Sequence, residues 1–388
     1  MSDSNPSRRG FLGTMAALPL AGAANIEASA PPIGVSGAMY RLGAIGNGKR
    51  GREELRAIKD GGFPCQVVAL CDVVGEHAEQ AKEICGGNPV IYDDYRKLLA
   101  HQGLDIVLIS TPPFLHKEMV CAALAGNVHV VCEKPMGLTV EECDAMIAAW
   151  RGGNSVFMLA MQNRFHKCHV KVHELIAAGA IGEVKHIAGT EFRGDWSPNE
   201  AGPINSTKYN WRYYDALSGG IMLEKTVHDF DLFDLWTASY PVRICGVAGP
   251  PFFPGRESPD HASVVAEYAS GCTVSMDVNV GCRRGKGFHQ FVIAGTKGQM
   301  VFERKGKRIA LTVWEPQFKE QAIDIALDPR DIRHGGTVEM WDDFFACLKD
   351  RKLPSANPMV ARLAVKGGQA AQMAITTRRI VETRDLGL

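Results

Sequence analysis

The sequence predicts an α/β protein of two domains: an N-terminal Rossmann domain with a doubly wound parallel sheet, and a C-terminal α+β domain with a large, mostly antiparallel sheet. The chain has 388 residues, more than a single domain usually has. Between 39 and 155, short apolar runs alternate with helical segments, as in a parallel sheet whose strands are joined by helices. From 156 to 388, strand candidates follow one another across short turns that contain glycine, which is typical of antiparallel strands.

The individual elements follow from this patterning. In the first domain we predict strands at 40–45, 66–71, 90–92, 105–110 and 128–132, and helices at 50–60, 76–84, 95–100, 114–125 and 139–150. In the second domain we predict strands at 156–161, 184–193, 242–247, 262–268, 273–280, 288–294, 300–303 and 309–313, and helices at 170–178, 230–236, 337–349 and 359–382. Thr139 with Glu142 three residues later matches a capping box at the start of a helix.

Charge and cysteine content argue against several classes of function. Lysine and arginine number 43, as do aspartate and glutamate, so there is no electrostatic reason to expect a nucleic acid or an acidic membrane as partner. The 11 cysteines are scattered, odd in number and free of any C-x-x-C pair. We therefore expect them to be small buried side chains, and we expect no metal site.

The first thirty residues have the pattern of an export signal. Arg8-Arg9 precedes a weakly apolar run at 11–24, the order found in twin-arginine signals. Cleavage is expected after Ala28-Ser29-Ala30 or, as a second candidate, after Ala21-Gly22-Ala23, with a linker at 31–38. Because the run is too short to span a membrane, we expect a periplasmic or secreted protein with no membrane span once the signal is removed. The alternative is a flexible terminus with a chance arginine pair.

A glycine-rich loop follows the first predicted strand. The segment from Gly46 to Gly51 fits G-x-G-x-x-G, in which the glycines permit a tight turn and a close approach to a pyrophosphate at a helix N-terminus. The residues of this loop expected to bind the cofactor are Gly46, Asn47, Gly48, Lys49 and Arg50. Asp72 ends the second strand, where a carboxylate accepts hydrogen bonds from a ribose and repels a 2′-phosphate, so the pattern favours NAD over NADP. The alternative for Asp72 is a solvated turn residue.

A proline-rich turn follows the fourth strand, at the carboxyl edge where ligands bind in open α/β sheets. It contains Thr111 and Pro112, with His116 shortly after. We expect this turn to line the cofactor crevice. As regards catalysis, we interpret His116 as a satisfied histidine on a helix surface.

Lys134 follows the fifth strand, between Glu133 and Pro135. The proline holds Lys134 extended, so its amine is expected beside the nicotinamide, where it can donate to a substrate oxygen. Partial burial would lower its pKa towards a useful range. The alternative is a surface pair of Glu133 and Lys134.

A charged segment after Gly219-Gly220 contains the candidate base. Glu224 and His228 are four residues apart and are expected to share a helix face, with Asp231 close to it. A histidine beside carboxylates can act as a general base with an orienting partner. Lys225 is expected to pair with Asp229, and the alternative is that these charges form only a salt-bridged helix start.

Two further segments carry planar hydrogen-bonding and aromatic groups. They include Gln162 and Arg164 after the predicted strand at 156–161, and Trp211 and Arg212 further on. Such side chains suit polyhydroxylated ligands. The two arginines are expected to reach the cofactor or a substrate oxygen, with structural salt bridges as the alternative.

These marks, taken in order, resemble the Gfo/Idh/MocA family of glucose–fructose oxidoreductases and inositol dehydrogenases. The resemblance extends over about 39–385. It implies that Lys134 and His228 are catalytic, with Glu224 beside them, and that the second-domain sheet makes the contacts of a homo-oligomer, a dimer or tetramer. The family's usual residue four before the histidine is Asp; here it is Glu224, and Lys225 stands where an apolar residue is usual.

The function expected from these residues is hydride transfer between NAD and a secondary hydroxyl of a sugar or polyol. The expected substrate-binding residues are Lys134, Arg164, Trp211, Arg212, Lys225 and His228, and the expected cofactor-binding residues outside the glycine loop are Asp72, Thr111, Pro112, His116, Glu133, Lys134, Gln162 and Arg164. Export predicts a tightly held cofactor. The alternatives are a redox-neutral, NAD-dependent glycosidase or lyase that acts through a transient keto-sugar, and a non-catalytic binding protein.

Overall fold

The computed structural model describes residues 39–194, 206, 208–282, 287–305, 308–315, 319–330 and 335–387. The export signal predicted at 1–30 and the linker at 31–38 lie outside these residues. No helix within the described ranges is both long enough and apolar enough to cross a membrane.

The first sheet has six parallel strands in the order β3-β2-β1-β4-β5-β6. Strands β1 to β6 are Tyr40–Ile45, Cys65–Cys71, Val90–Tyr92, Ile106–Ile109, His129–Glu133 and Phe157–Ala160. Helices α1 to α5 are Lys49–Gly61, Gly75–Cys85, Tyr95–Leu99, His116–Ala125 and Val140–Arg151. The strand order reverses between β1 and β4, and ligands bind at the carboxyl end of such a reversal. The predicted doubly wound parallel sheet is therefore confirmed.

Local sequence explains how these elements form. Every residue of β4 and of β6 is buried, as expected for central parallel strands covered on both faces. Thr139 caps α5 by accepting from the Glu142 amide at 3.3 Å, while Glu142 Oε2 accepts from the Leu138 amide at 2.8 Å. β6 pairs with β5, so the first sheet extends past the boundary predicted at 155, which is wrong by one strand. The apolar sequence of β6 would suit a strand of either sheet, and only the pairing of β6 with β5 shows which sheet it joins.

The second sheet has nine strands among the described residues, in the order β14-β13-β12-β11-β7-β10-β9-β8-β15. Strands β7 to β15 are Val184–Phe192, Pro241–Ala248, His261–Tyr268, Thr273–Asn279, Phe288–Gly295, Gln299–Lys305, Arg308–Glu315, Lys319–Ile323 and Val381–Glu382. Neighbouring strands are antiparallel except β7 and β10. The predicted, mostly antiparallel second sheet is confirmed.

The described residues after β6 include six further helices. Helices α6 to α11 are Lys167–Ala177, Asp215–Ser218, Ile221–Glu224, Val227–Thr237, Thr337–Asp350 and Pro358–Thr377. Helix α11 contacts α9, β8 and α5, and α10 contacts α1. Helices that follow β6 thus pack against helices of the first sheet, and the turn after β5 contacts the end of α8 through Lys134 and the Glu224 carbonyl.

Candidate active site

The glycine-rich loop forms the tight turn between β1 and α1. Gly46 has φ +83°, and a Cβ there would lie 2.7 Å from the backbone of Ser110. Asn47 is buried and donates from Nδ2 to the Cys71 carbonyl at 2.9 Å, which fixes the loop against β2. A Cβ on Gly48 would meet no atom within 4 Å. The loop therefore leaves open space in front of the N-terminal amides of α1, which fits the pyrophosphate of a dinucleotide.

Two glycines of this loop make a matched pair of test positions. In Gly51→Ala the new Cβ would lie 2.1 Å from the Gly46 carbonyl oxygen, so we expect the free energy of unfolding to fall by about 3 kcal/mol. In Gly48→Ala the fold should stay intact, while affinity for NAD should fall roughly tenfold because a methyl group enters the pyrophosphate space. Thermal unfolding and NAD titration measure the two effects. Equal stability of the two variants would contradict this geometry.

Asp72 stands at the end of β2 with a fixed carboxylate. Oδ2 accepts from the Asn47 amide at 2.6 Å, and Oδ1 accepts from the Val74 amide at 2.8 Å. Each oxygen keeps a second lone pair that can accept from a ribose hydroxyl. The arrangement fits the predicted ribose site and gives Asp72 a structural role that the sequence did not suggest.

Arg50 and Glu133, both predicted to bind the cofactor, contact each other. Arg50 Nε donates to Glu133 Oε1 at 2.5 Å, and the same guanidinium pairs with buried Glu54. Burial and the neighbouring Glu133 raise the pKa of Glu54 to about 7, although the Arg50 charge lowers it. The guanidinium thus ties α1 to the turn that carries Lys134. A direct contact of Arg50 or Glu133 with the cofactor stays a prediction.

His116 is fully buried, so its interpretation as a helix-surface residue is wrong. Its Nδ1 lies 2.8 Å from the Pro135 carbonyl oxygen and its Nε2 lies 2.9 Å from that of Thr111. Burial lowers the pKa of His116, although both carbonyls oppose that shift. With both nitrogens at backbone carbonyls, His116 holds together the turns after β4 and β5. Nothing in the sequence indicated that the first residue of α4 is covered by the turns after β4 and β5.

Lys134 reaches across to the second domain. Its Nζ donates to the Glu224 backbone carbonyl at 2.6 Å and lies 3.4 Å from Glu224 Oε1. Arg212 Nε donates to the same Oε1 at 3.0 Å. Burial lowers the pKa of Lys134, with further lowering by the Arg212 charge and opposition from Glu224. The structure therefore brings together Lys134, Glu224 and Arg212, three of the predicted residues.

His228 lies beside Lys134 in the same buried region. The side chain is 6% exposed, and its Nδ1 has no hydrogen-bond partner among the described residues. Burial, followed by the charges of Lys134, Lys225 and Arg50, holds the pKa of His228 well below its usual value. An imidazole in this setting is neutral at neutral pH and can accept a proton. The Lys134 charge thus acts on the His228 imidazole from a separate segment of the chain, and the catalytic roles of the two residues stay predictions.

Glu224 and His228 do not share one continuous helix, contrary to the prediction. Glu224 ends α8 and His228 belongs to the first turn of α9. Between them, Thr226 Oγ1 donates to the Met222 carbonyl at 2.5 Å. Threonine hydroxyls that bond the carbonyl four residues back bend helices. The bend places the Glu224 carbonyl, rather than its carboxylate alone, against Lys134.

Asp231 does not orient His228, which corrects a second expectation. Both of its oxygens accept from Arg164, from Nε at 3.0 Å and from Nη2 at 2.5 Å. Arg164 side-chain exposure is only 12%. The salt-bridge alternative therefore describes Arg164, and its role at the cofactor or substrate stays a prediction.

Lys225 pairs with Glu191, and its predicted pairing with Asp229 is wrong. The ammonium hydrogen-bonds the buried Glu191 carboxylate on β7. Burial would raise the pKa of Glu191, but the Lys225, His289 and Arg193 charges reverse this and hold it far below its usual value. Glu191 was missed because it looked like one polar position in an alternating strand. The sequence feature that could have identified it is an acidic residue at one of the alternate positions of β7 that face the protein interior.

Two further predicted residues, Trp211 and Gln162, have distinct surroundings. The Arg212 guanidinium stacks over the Trp211 ring at 4.1 Å, and Gln162 has a buried Oε1 without a hydrogen-bond partner in the described parts of the chain. Arg256 was also missed by the sequence analysis: it is buried, stacks over Tyr213 at 5.0 Å and interacts electrostatically with Glu224. No local sequence motif predicts a role for Arg256, because only the tertiary fold brings its segment close to Glu224.

Comparison with known proteins agrees with this arrangement. The oxidoreductase-family model with an NAD-binding Rossmann fold matches 40–161, and the GFO/IDH/MocA C-terminal domain model matches 169–301. The chain belongs to the Gfo/Idh/MocA family of oxidoreductases. Its N-terminal domain is accordingly an NAD-binding domain, and the family resemblance drawn from the motifs is confirmed.

Relatives within the Gfo/Idh/MocA family are named dehydrogenases. Inositol 2-dehydrogenase of Salmonella typhimurium LT2 is 26% identical over 264 residues, covering 66% of this chain and 72% of that protein. Myo-inositol 2-dehydrogenase of Thermotoga maritima is 30% identical over 195 residues, covering 50% and 53%. The structure of a levoglucosan dehydrogenase complexed with NADH and L-sorbose shares the fold, with a TM-score of 0.77, 20% identity and coverage of 89% and 99%.

Proposed function

We propose that this protein is an NAD-dependent dehydrogenase that transfers a hydride to or from a secondary hydroxyl of a sugar or polyol. The observation that carries the proposal is the electrostatic interaction of partly buried Lys134 with buried His228, at the carboxyl edge of an NAD-binding sheet. The names of the inositol and levoglucosan dehydrogenases support a polyhydroxylated substrate.

The chain's own groups divide the work of alcohol oxidation. NAD, when bound, supplies the acceptor for the hydride. His228, neutral in its buried setting, accepts the hydroxyl proton. Lys134 donates to the developing alkoxide and stabilises its charge. Glu224 positions Lys134 through its carbonyl and Arg212 through its carboxylate.

The buried Oε2 of Glu224 has no hydrogen-bond partner in the described part of the chain. We propose that it accepts from a second hydroxyl of the substrate, adjacent to the one oxidised. A carboxylate longer than the family's usual Asp would set the distance between these two hydroxyl contacts. Trp211 and Arg212 then border the substrate on its outer side.

Preference for NAD over NADP follows from Asp72. Its carboxylate would face a 2′-phosphate directly, and like charges at short range repel. Asp72→Asn keeps an acceptor oxygen but removes the charge, so the ratio of NAD to NADP affinity should fall about tenfold or more. Titration of both nucleotides measures this, with Glu83→Gln on α2 as a control that changes the same net charge. An unchanged ratio would show that Asp72 does not contact the ribose.

Export and cofactor retention form one proposal. The arginine pair at Arg8-Arg9 supports twin-arginine export of a folded, NAD-loaded protein to the periplasm or medium. We also propose that the protein forms a dimer or tetramer, as the family resemblance implies. Fractionation of cells carrying the full chain and its Arg8→Lys, Arg9→Lys variant tests export, and analytical ultracentrifugation tests assembly. Cytoplasmic retention of the unaltered chain would overturn the first proposal.

Product analysis tests the reaction itself. The purified full chain is mixed with single inositols, aldoses and glycosides, with and without added NAD, while nicotinamide absorbance and products are followed. We expect a ketone or lactone product with stoichiometric nicotinamide reduction, or reoxidation by a second carbonyl substrate. Cleavage or elimination without net redox change would instead establish the glycosidase or lyase alternative.

A further inference from the structure

A second cluster of buried polar groups lies directly behind His228, on the second sheet. Glu191 on β7 and His289 on β11 are opposite one another in the strand register, and Asp229 projects from the first turn of α9. The exposed fractions of these residues are 1%, 3% and 0%. One side-chain nitrogen or oxygen from each lies within 4.8 Å of the other two. The fold therefore gathers two carboxylates and an imidazole in one closed space.

Asp229 and His289 contact each other without a hydrogen bond. His289 Nε2 lies 3.2 Å from Asp229 Oδ1, yet both nitrogens of His289 and both oxygens of Asp229 have no hydrogen-bond partner among the residues described. The ring N–H is thus not directed at the carboxylate. Two ligands that each lie about 2.1 Å from one metal ion are separated by about 3.0–3.4 Å at octahedral or tetrahedral angles. The observed 3.2 Å spacing agrees with ligands of a shared ion.

The two carboxylates of the cluster differ in their charge partners, because both cations contact Glu191. Lys225 compensates Glu191 through Oε2, and Arg193 Nη1 lies 3.7 Å from Glu191 Oε1 at the rim. Asp229 has the His289 imidazole beside it, and the Phe291 ring lies 4.5 Å from that imidazole. A buried carboxylate without a hydrogen bond or a full counter-charge is costly. A cation at this point would remove that cost.

We propose that Glu191, Asp229 and His289 bind one divalent transition-metal ion, Zn²⁺ or Mn²⁺. One imidazole and two carboxylates form a ligand set suited to either ion, with water completing the coordination. Because Asp229 follows His228, the ion would fix the start of α9 and hence the position of the base. Sequence analysis predicted no metal, since residues spaced as widely as 191, 229 and 289 form no recognisable motif.

Metal binding to the full chain tests the proposal without reference to catalysis. The protein is stripped with dipicolinate, dialysed, and titrated separately with ZnCl₂ and MnCl₂ by calorimetry, with metal content measured by mass spectrometry. We expect one tightly bound ion per chain for at least one of the two metals. At a free-ion concentration of about 100 times Kd, the Tm should rise by roughly 4 °C.

Three variants make the assignment specific. Asp229→Asn and His289→Ala should lose the bound ion or weaken it at least tenfold, and the isosteric Asp229→Asn keeps the test valid where His289→Ala does not fold. His186→Ala is the matched control, because His186 lies on the same strand as Glu191 but is exposed and bonded to Thr273. No bound ion in the stripped and titrated protein, or equal binding by Asp229→Asn, would show that Asp229 and His289 form only an internal ion pair.

Discussion

Replacing Lys134 with alanine should lower kcat by about 10³-fold while leaving NAD bound. The amine is held at 2.6 Å from the Glu224 carbonyl by a turn fixed by His116 and Arg50, so its loss removes one preorganised donor from the developing alkoxide. Removal of one such donor typically costs 10² to 10³ in kcat, and loss of a proton-transfer group costs 10² to 10⁴. Stopped-flow kinetics and NAD titration measure the two consequences separately.

Lysine at position 117 provides the control for that variant. Lys117 is an exposed residue of α4, and Lys117→Ala should retain full activity. Lys134→Arg should recover little, because a planar guanidinium cannot replace an ammonium in a closed space between Glu224 and the substrate. If Lys134→Ala keeps more than about one-tenth of the activity, the amine is not part of the reaction.

The lowered pKa of Lys134 predicts the alkaline limb of the pH–rate profile. Lys134 must be protonated to stabilise the alkoxide, and burial places its pKa below the usual 10.5. Activity should therefore fall as the pH rises through this lowered pKa, with the midpoint below 10.5 rather than above it. Arg212→Gln removes a charge that lowers the Lys134 pKa, so the limb should move to higher pH in that variant. A limb that moves to lower pH would contradict the assignment.

The strands of both sheets could be predicted from the sequence because burial patterns are local. Runs such as 106–109 and the alternation along 261–268 report how many faces of a strand are covered. The glycine loop and the Asp72 position were predictable for the same reason, since one strand, one turn and one helix define them. Side-chain partners were not predictable, because they come from segments far apart in the chain.

Lys225 illustrates the limit. Four residues along a helix suggested Asp229 as its partner, but the bend at Thr226 and the register of β7 supply Glu191 instead. Asp231 was likewise assigned to His228 by spacing, although Arg164, 67 residues earlier, holds it. In both cases a buried charge found the nearest opposite charge in space. Such pairings follow from tertiary packing, which helix spacing alone does not encode.

His228→Ala should lower kcat by about 10² to 10⁴-fold with little change in NAD affinity. The buried imidazole is the one neutral base that the described structure places beside Lys134, and its Nδ1 has no partner there that would compete for a proton. Alanine leaves a space of the size of imidazole in contact with the substrate region. Added imidazole should therefore restore part of the activity, as expected when a missing general base is supplied from solution.

Rescue separates a chemical role of His228 from a structural one. A residue that only supported the start of α9 would leave a destabilised protein that free imidazole cannot reactivate. His186→Ala, which removes an exposed histidine of the second sheet, should need no rescue and should not respond to imidazole. Because the loss at His228 would appear in kcat and the loss of a substrate contact would appear in KM, the two parameters also decide whether the imidazole moves the proton or merely binds the sugar. Full activity of His228→Ala without imidazole would show that another group acts as the base.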